Sequence, residues 1–221
     1  FFKSRHSRSS GLNMVNSTVS GNTATASDPS GSGGGLESVG SIYGGAATAT
    51  ITNCTFTGNQ QTDGTTPTAD EIFSGNYGFQ STVTLRNTIV GGSSATTSPN
   101  LRVFTDGSIP ALGIINSLGN NISSDNGSGL LTGSGDQINT DPLLAPLANN
   151  GGPTQTHAFL PGSTALNTGN DCVFDNTCSP SLGGAITTDQ RGAGFTRKYG
   201  SHVDIGSFEL PNTPPTITPA V

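Results

Sequence analysis

The chain has 221 residues, of which 31% are hydrophobic and 10% charged, and its formal net charge is −6. Globular domains are about 45–50% apolar and about 25% charged, whereas disordered chains of low apolarity usually carry a high net charge. Eight Lys and Arg residues are too few for the basic patch of a nucleic-acid partner, and no apolar run is long enough for a membrane span. The composition, with 32 glycines, instead favours a solenoid, because each of its coils buries only a short inward row.

Residues 1–11 are predicted to form an N-terminal arm ahead of the first strand pattern. We interpret its basic residues Lys3, Arg5 and Arg8 as solvated, with contact to an acidic neighbour as the alternative. No segment before Leu12 resembles a cap, and an open first coil needs cover. We expect that cover to come from a preceding region of a precursor, from the arm at Phe1–Phe2, or from another subunit.

Four segments between residues 12 and 140 repeat one frame, in which an apolar residue, a central asparagine, another apolar residue and a closing glycine recur. Their central asparagines follow one another after 37, 34 and 29 residues, and are Asn16, Asn53, Asn87 and Asn116. A recurring unit of about 20–50 residues indicates a repeat architecture. The flanking residues alternate with period two, and no segment shows a helical apolar stripe. We therefore predict an all-β right-handed parallel β-helix, a β-solenoid with minimal helix, over residues 12–140.

Each central asparagine is predicted to make a sharp bend between two short strands, because Asn tolerates the left-handed backbone conformation. Stacked in successive coils, the four side chains would form a hydrogen-bonded Asn ladder, whose role is structural. The alternative is that they are unrelated turn residues. Cys54, inside the second repeat, is predicted to be a core thiol. Residues 27–33, 61–67 and 93–99 are predicted surface loops.

Acidic residues in or close to two of these loops support the alternative of an enzyme. Two carboxylates that converge across a groove would suit glycoside hydrolysis, and several in one loop would suit Ca²⁺. Against this, the strands carry no Asp, few basic residues lie in the coil region, and the chain has no Trp for sugar stacking. We expect no catalytic residue, no metal site and no cofactor. The acids concerned are Asp28, Glu37, Asp63, Asp70 and Glu71.

From residue 141 the composition changes, and residues 141–210 are predicted to cap the open end of the solenoid with apolar side chains. Asp189 and Arg191 are predicted to form a salt bridge within this cap, with a catalytic carboxylate–arginine pair as the alternative. His157 is assigned a structural role. Cys172 and Cys178 are six residues apart, which predicts a local disulfide and an oxidising compartment. The predicted capping side chains are Leu143, Leu144, Leu147, Phe159, Leu160, Leu166, Ile205 and Phe208.

Several blocks of this region carry a resemblance. They are the Pro- and Leu-rich stretch from Asp141, then Asp189-Gln-Arg-Gly192, and then Asp204-Ile-Gly-Ser-Phe-Glu-Leu210. Together with upstream units such as Asn-Ser-Thr-Val-Ser-Gly-Asn, they closely resemble the bacterial choice-of-anchor Q family, whose members combine parallel β-helix coils with such a tail. The resemblance covers residues 12–210. It implies a secreted or cell-surface bacterial protein of modular architecture, without established catalytic residues.

Residues 211–221 are Pro-rich and predicted to be an extended tail, either a linker to a following module or a strand that docks on a neighbouring subunit. We expect a non-enzymatic extracellular structural or adhesin-like surface protein. Its expected partners are neighbouring surface modules, a glycan, or further copies stacked end to end into a filament or sheath. The alternative is a polysaccharide-binding or polysaccharide-degrading β-helix protein.

Overall fold

The computed structural model describes residues 2–3, 9–25, 32–41, 45–62, 68–91, 98–105, 107 and 112–211. Over these ranges the chain is nearly all β, with one 3₁₀ turn at Gly127–Gly129 and one short helix, α1 (Cys172–Asp175). The prediction of an all-β chain with minimal helix is confirmed. The strands are β1 (Phe2–Lys3), β2 (Ser10–Val15), β3 (Thr18–Ser20), β4 (Thr23–Ala24), β5 (Ser32–Gly33), β6 (Leu36–Ser41), β7 (Ala47–Thr52), β8 (Thr55–Thr57), β9 (Gln60–Gln61), β10 (Thr68–Ala69), β11 (Ile72–Tyr77), β12 (Ser81–Arg86), β13 (Ile89–Val90), β14 (Leu101–Thr105), β15 (Gly113–Ser117) and β16 (Ile122–Ser123).

Three sheets of four strands each make up most of this structure. Sheet I has the order β1-β6-β11-β14, sheet II β2-β7-β12-β15 and sheet III β3-β8-β13-β16, and β4–β9 and β5–β10 form two-stranded sheets. All of these pairings are parallel. In sheet II, Leu12 pairs with Ala49, Ala49 with Val83, and Val83 with Ile115. Neighbouring strands are therefore about one sequence repeat apart, as the parallel arrangement requires.

One face of each sheet points into a shared core, the main core. In sheet II, Met14, Ile51 and Leu85 stack in one column across consecutive strands, and Ile51 and Leu85 are fully buried. Thr50 and Thr84, one residue earlier on the same strands, lie on the opposite face and are half-buried. Burying a side chain as large as Ile or Leu contributes about 1.5–3 kcal/mol, so the stacked columns are the main source of stability. Sheets I and III add Leu36, Ile72, Leu101, Phe56 and Val90.

Residues 141–211 lie across the outer face of sheet III. Ile89 and Ile122, which point away from the main core, pack there against Phe159, Ile205 and Phe208. The described contacts of this region are therefore with the outer face of sheet III, whereas the sequence predicted a cap over the open end of the solenoid. The outward residues of sheet III include apolar side chains, so this face itself needs cover from water. Two of the predicted capping residues, Leu147 and Leu160, are instead 41% and 44% exposed.

The end of the main core beside β14, β15 and β16 is covered by a different segment. After β16 the chain passes through the 3₁₀ turn, and Leu130 and Leu131 then pack against the main core. Gln137 continues the ladder through a parallel bridge to Ile122. The two ends of the core consequently differ. At the opposite end, partly buried side chains complete the core, namely Leu12, Met14 and Val19.

The N-terminal arm belongs partly to the sheets. Phe2 and Lys3 form β1 and pair in parallel with Leu36 and Glu37 of β6, and β2 already begins at Ser10. The arm therefore supplies a strand, whereas the sequence placed the first one at Leu12. Other predicted features lie outside the described residues, namely Phe1, Arg5, Arg8, Asp28, Asp63, most of the loops 27–33, 61–67 and 93–99, and tail residues 212–221.

Candidate functional site

Three of the predicted asparagines lie at bends between sheets II and III. Asn16, Asn53 and Asn87 have φ angles of 46°, 51° and 48°. These values fall in the left-handed region, where Asn is several-fold enriched among non-glycine residues. Each bend joins one strand of sheet II to the next strand of sheet III. The side-chain Nδ2 of Asn87 donates to Oδ1 of Asn53 at 3.1 Å, a direct contact of the kind that an Asn ladder requires.

The prediction that Asn116 forms the fourth bend is wrong. Asn116 is an exposed residue within β15 and pairs with Thr84. The residue equivalent to Asn87 is Asn120, which has a φ of 53°. It precedes Ile122 by two residues, as Asn87 precedes Ile89, and Ile89 pairs with Ile122. The spacing of 33 residues between Asn87 and Asn120, close to the preceding 34, was the available signal.

The bend asparagines also hold the C-terminal region. Asn16 Nδ2 donates to the carbonyl oxygen of Thr188 at 2.7 Å, and Asn120 Nδ2 donates to that of Thr168 at 2.8 Å. Asn87 Oδ1 accepts from the main-chain N–H of residue 170 at 2.8 Å. The same side chains therefore turn the chain and bind its C-terminal part. We name this contact strip the seam: sheet III and the bends Asn16, Asn87 and Asn120 on one side, residues 141–211 on the other.

At β3 the seam is lined by polar side chains. Ser20 Oγ lies 2.8 Å from His157 Nε2, and His157 Nδ1 lies 2.7 Å from the carbonyl oxygen of Ala145. Because a carbonyl oxygen only accepts, the Nδ1 atom carries a hydrogen, and the Nε2 atom of a neutral ring accepts from the serine hydroxyl. Thr18 Oγ1 donates to Gln190 Oε1 at 2.6 Å. His157 was predicted to have a structural role, and nothing in the sequence pattern predicted its contact with Ser20.

The predicted Asp189–Arg191 salt bridge is present and buried. Arg191 Nη2 lies 2.7 Å and Nε 2.9 Å from Asp189 Oδ2. The guanidinium carbon of Arg191 stands 4.0 Å from the ring centre of Phe195 and 3.9 Å from that of Phe208. The main-chain N–H of Glu209 also donates to Asp189 Oδ2, at 2.9 Å. With its polar atoms occupied in this way, the pair serves to hold the C-terminal region together.

A second buried ion pair, missed by the sequence analysis, lies beside it. Arg197 is fully buried, and its Nη2 atom lies 3.2 Å from Glu209 Oε2. The guanidinium also donates to the carbonyl oxygens of Gly206 and Asp204 at 3.0 and 2.7 Å. Burial raises the pKa of Glu209 to about 7, although Arg197 opposes the shift.

The three cysteines fall into the two predicted classes. Cys172 and Cys178 form a disulfide with an S–S distance of 2.06 Å, which closes a short loop around α1. Beside it, Asp171 Oδ2 binds Lys198 Nζ at 2.6 Å. Cys54 is a free, buried thiol. Burial raises its pKa to about 12, so it remains protonated and unreactive.

The acids that suggested catalysis or Ca²⁺ binding are buried where they are described. Glu37, Asp70 and Glu71 are 3%, 3% and 2% exposed. Glu71 Oε2 accepts from Asn59 Nδ2 at 2.5 Å, and Asp70 Oδ1 accepts from the main-chain N–H of Gln61 at 3.2 Å. Burial raises the pKa of Glu71 to about 8, so it is mostly protonated near neutral pH. The carboxyl groups of Asp70 and Glu71 are thus enclosed rather than displayed along a groove.

Comparison with protein-family models, with curated proteins and with solved structures found no match to this chain. Within the described ranges, His, Cys, Asp and Glu side chains do not come together in any group of three or more able to hold a metal ion. No helix in the same part of the chain is both long and apolar enough to cross a membrane.

Proposed function

We propose that the chain is an extracellular structural or adhesin-like scaffold, in which sheets I, II and III form the faces of a right-handed parallel β-helix. The parallel register at intervals of about one repeat supports this winding, as do the recurrent bends between sheets II and III. Connections between parallel strands of one sheet are right-handed in about 98% of cases, which supports the proposed hand. A wound structure of this kind is a stiff body with flat faces.

The burial of the acidic residues is the observation that carries the scaffold proposal. Asp70 and Glu71 are enclosed, and Glu71 is engaged by Asn59, whereas glycoside hydrolysis needs two carboxyl groups that both reach the sugar. The solvent-accessible part of the outer face of sheet II carries threonines instead. They are Thr48, Thr50, Thr82 and Thr84.

We also infer membership of the choice-of-anchor Q family and a location at the cell surface. The blocks that carry the resemblance supply the buried centre of residues 141–211, since Asp189, Arg191, Ile205 and Glu209 all lie inside it. Residues with such a role are those that a family motif would keep. The disulfide between Cys172 and Cys178 supports an oxidising compartment.

The proposed partners are neighbouring surface modules, with a glycan as a candidate ligand of the scaffold's exposed faces. Head-to-tail stacking of copies is the weaker proposal, because Leu130 and Leu131 cover the core beside β14, β15 and β16. A filament built end to end would need both ends of the ladder to accept a strand.

The scaffold proposal is tested by imaging the protein and by assaying it for degradation of polysaccharides. Purified protein is examined by negative-stain electron microscopy and light scattering, then incubated with a panel of neutral and acidic polysaccharides whose chain length is monitored. We expect short monomeric rods and unchanged polysaccharides. Depolymerisation of any polysaccharide would overturn the scaffold proposal in favour of the degrading alternative, and end-to-end polymers would show that the covered end still accepts a partner.

A further inference from the structure

Ser20 and His157 are arranged as a nucleophile and its base. We propose that Ser20 is an activated nucleophile that accepts an acyl group from a carboxylic ester at the seam, with His157 as general base. This activity goes beyond the scaffold function. The recognised signature is a hydroxyl within about 2.6–3.2 Å of a base that is itself oriented by a third group. Ser20 Oγ lies 2.8 Å from His157 Nε2, and the Ala145 carbonyl oxygen lies 2.7 Å from Nδ1.

The third group fixes the tautomer that catalysis needs. The Ala145 oxygen holds the hydrogen on Nδ1, so the Nε2 lone pair faces the hydroxyl of Ser20. In serine hydrolases a carboxylate in this place also stabilises the imidazolium that forms, and its loss costs about 10⁴ in kcat. A carbonyl oxygen is a weaker partner for that charge. The dyad is therefore suited to modest turnover.

The dyad is within reach of a ligand. Ser20 and His157 are both half-buried, and the neighbouring Thr154 is exposed. Ser20 lies on β3, which is an edge strand of sheet III, paired with β8 alone among the described strands. No described strand lies beside β3 on the side opposite β8, and we place the approach of the ester there.

The surroundings of Ser20 select the class of ester. The main-chain N–H of Gly21 donates to the carbonyl oxygen of Thr57 at 3.2 Å, and that of Asn22 donates to Asn59 Oδ1 at 3.0 Å. These groups are therefore committed and do not serve as oxyanion donors, which are worth about 10²–10³ in kcat. Without them the reaction depends on a good leaving group. The substrates are esters of acidic alcohols, such as aryl esters.

The chemical step is balanced by the two residues and water. Ser20 Oγ adds to the ester carbonyl carbon while its proton passes to His157 Nε2. The adduct collapses, the bond from carbon to the leaving oxygen breaks, and His157 returns the proton to the departing alcohol. Water then repeats the sequence on the acyl-serine, which releases the carboxylic acid and restores the hydroxyl.

The experiment uses a fluorophosphonate probe with peptide mass spectrometry, and p-nitrophenyl acetate for turnover. We expect one adduct on Ser20, no adduct there in Ser20→Ala, and at least a tenfold lower rate in His157→Gln. Ser17→Ala is the matched control, because Ser17 precedes β3 and its hydroxyl only donates to the Val15 carbonyl oxygen. This control should label and turn over as the wild type does.

Two results would overturn the proposal. One is the absence of a Ser20 adduct on folded wild-type protein, and the other is labelling of Ser20 that His157→Gln leaves unchanged, because the histidine would then be only a structural contact. If His157→Gln fails to fold, as judged by circular dichroism, Ser20→Cys replaces it. Its thiol should react with iodoacetamide at least tenfold faster than a Ser17→Cys thiol, and equal rates would refute activation by His157.

Discussion

Glu71 makes the stability of this protein depend on pH. Its carboxyl group is enclosed immediately before β11 and accepts from Asn59 Nδ2 at 2.5 Å. Burial raises its pKa from 4.5 to about 8. Between these values the folded protein keeps a proton that the unfolded chain has lost. The free energy of unfolding therefore falls as the pH rises through this window, and it levels off above pH 8.

Glu71→Gln removes the titration and keeps an oxygen that accepts from Asn59. Each unit of difference between folded and unfolded pKa is worth about 1.4 kcal/mol, so the full window corresponds to at most ~5 kcal/mol. Partial opening of the buried site to water at high pH lowers this figure. Between about pH 5 and about pH 8.5, we expect the variant to gain about 2–4 kcal/mol of stability relative to wild type.

Urea denaturation followed by circular dichroism is the appropriate assay, since the chain has no Trp to report by fluorescence. Taking the difference between variant and wild type at each pH cancels the contribution of Glu209, whose pKa burial also raises, to about 7. Asp175→Asn, which removes an exposed carboxyl group, is the matched control and should show little pH-dependent gain. A Glu71→Gln difference that stays constant across the pH series would refute the burial of a neutral carboxyl group.

Four further variants test other parts of the structure. The double change Cys172→Ser with Cys178→Ser should cost about 2 kcal/mol through lost loop closure, seen as a lower Tm by calorimetry. Asn120→Ala should cost about 2 kcal/mol in urea denaturation, because the left-handed bend strains alanine and the seam loses a hydrogen bond. Asn116→Ala, on an exposed face, should cost less than about 0.5 kcal/mol. Arg191→Lys should cost about 2–3 kcal/mol, through the lost forked ion pair and ring stacking, and should weaken amide-exchange protection over residues 187–209.

Each of these substitutions has a result that contradicts its reasoning. An unchanged Tm for the serine double variant, with wild type insensitive to reductant, would mean that the disulfide adds nothing to stability. Equal losses of unfolding free energy in Asn120→Ala and Asn116→Ala would refute the assignment of Asn120 as the fourth bend. Full protection of residues 187–209 in Arg191→Lys would show that a point charge suffices where the structure places a planar guanidinium.

The parallel sheets were predicted from the sequence, whereas the fourth bend was assigned to the wrong asparagine. Period-two alternation and the recurring Asn frame require strands that stack in register about one repeat apart. At the last repeat Leu85 pairs with Ser117, yet Ile89 pairs with Ile122, so an additional residue lies between the two strands. The predicted Asn116 lies inside β15 opposite Thr84, and the bend comes four residues later, at Asn120.

The packing of the C-terminal region on sheet III is indicated in the sequence only by a very short apolar pattern. Ile89 and Val90 are adjacent apolar residues in β13, and a strand that is apolar on both faces is buried on both. A pattern of only two residues is too short to predict that both faces of the strand are buried. The enclosure of Glu71 and the meeting of Ser20 with His157 depend on residues 12 and 137 positions away in the chain, and only tertiary packing determines them.

The contacts of the seam also determine the order in which parts of the protein fold. It joins Asn16 to Thr188 and Thr18 to Gln190, across 172 residues in each case. Pairings of such long range close large loops and form late, while ladder contacts between successive repeats are more local. A chain that is synthesised from its N-terminus can therefore form its sheets strand by strand. Ile89, on the outer face of sheet III, remains exposed to water until Ile205 and Phe208 pack against it. During that interval the nascent protein carries an apolar flank that binds chaperones or aggregates, and its final segment ends the exposure.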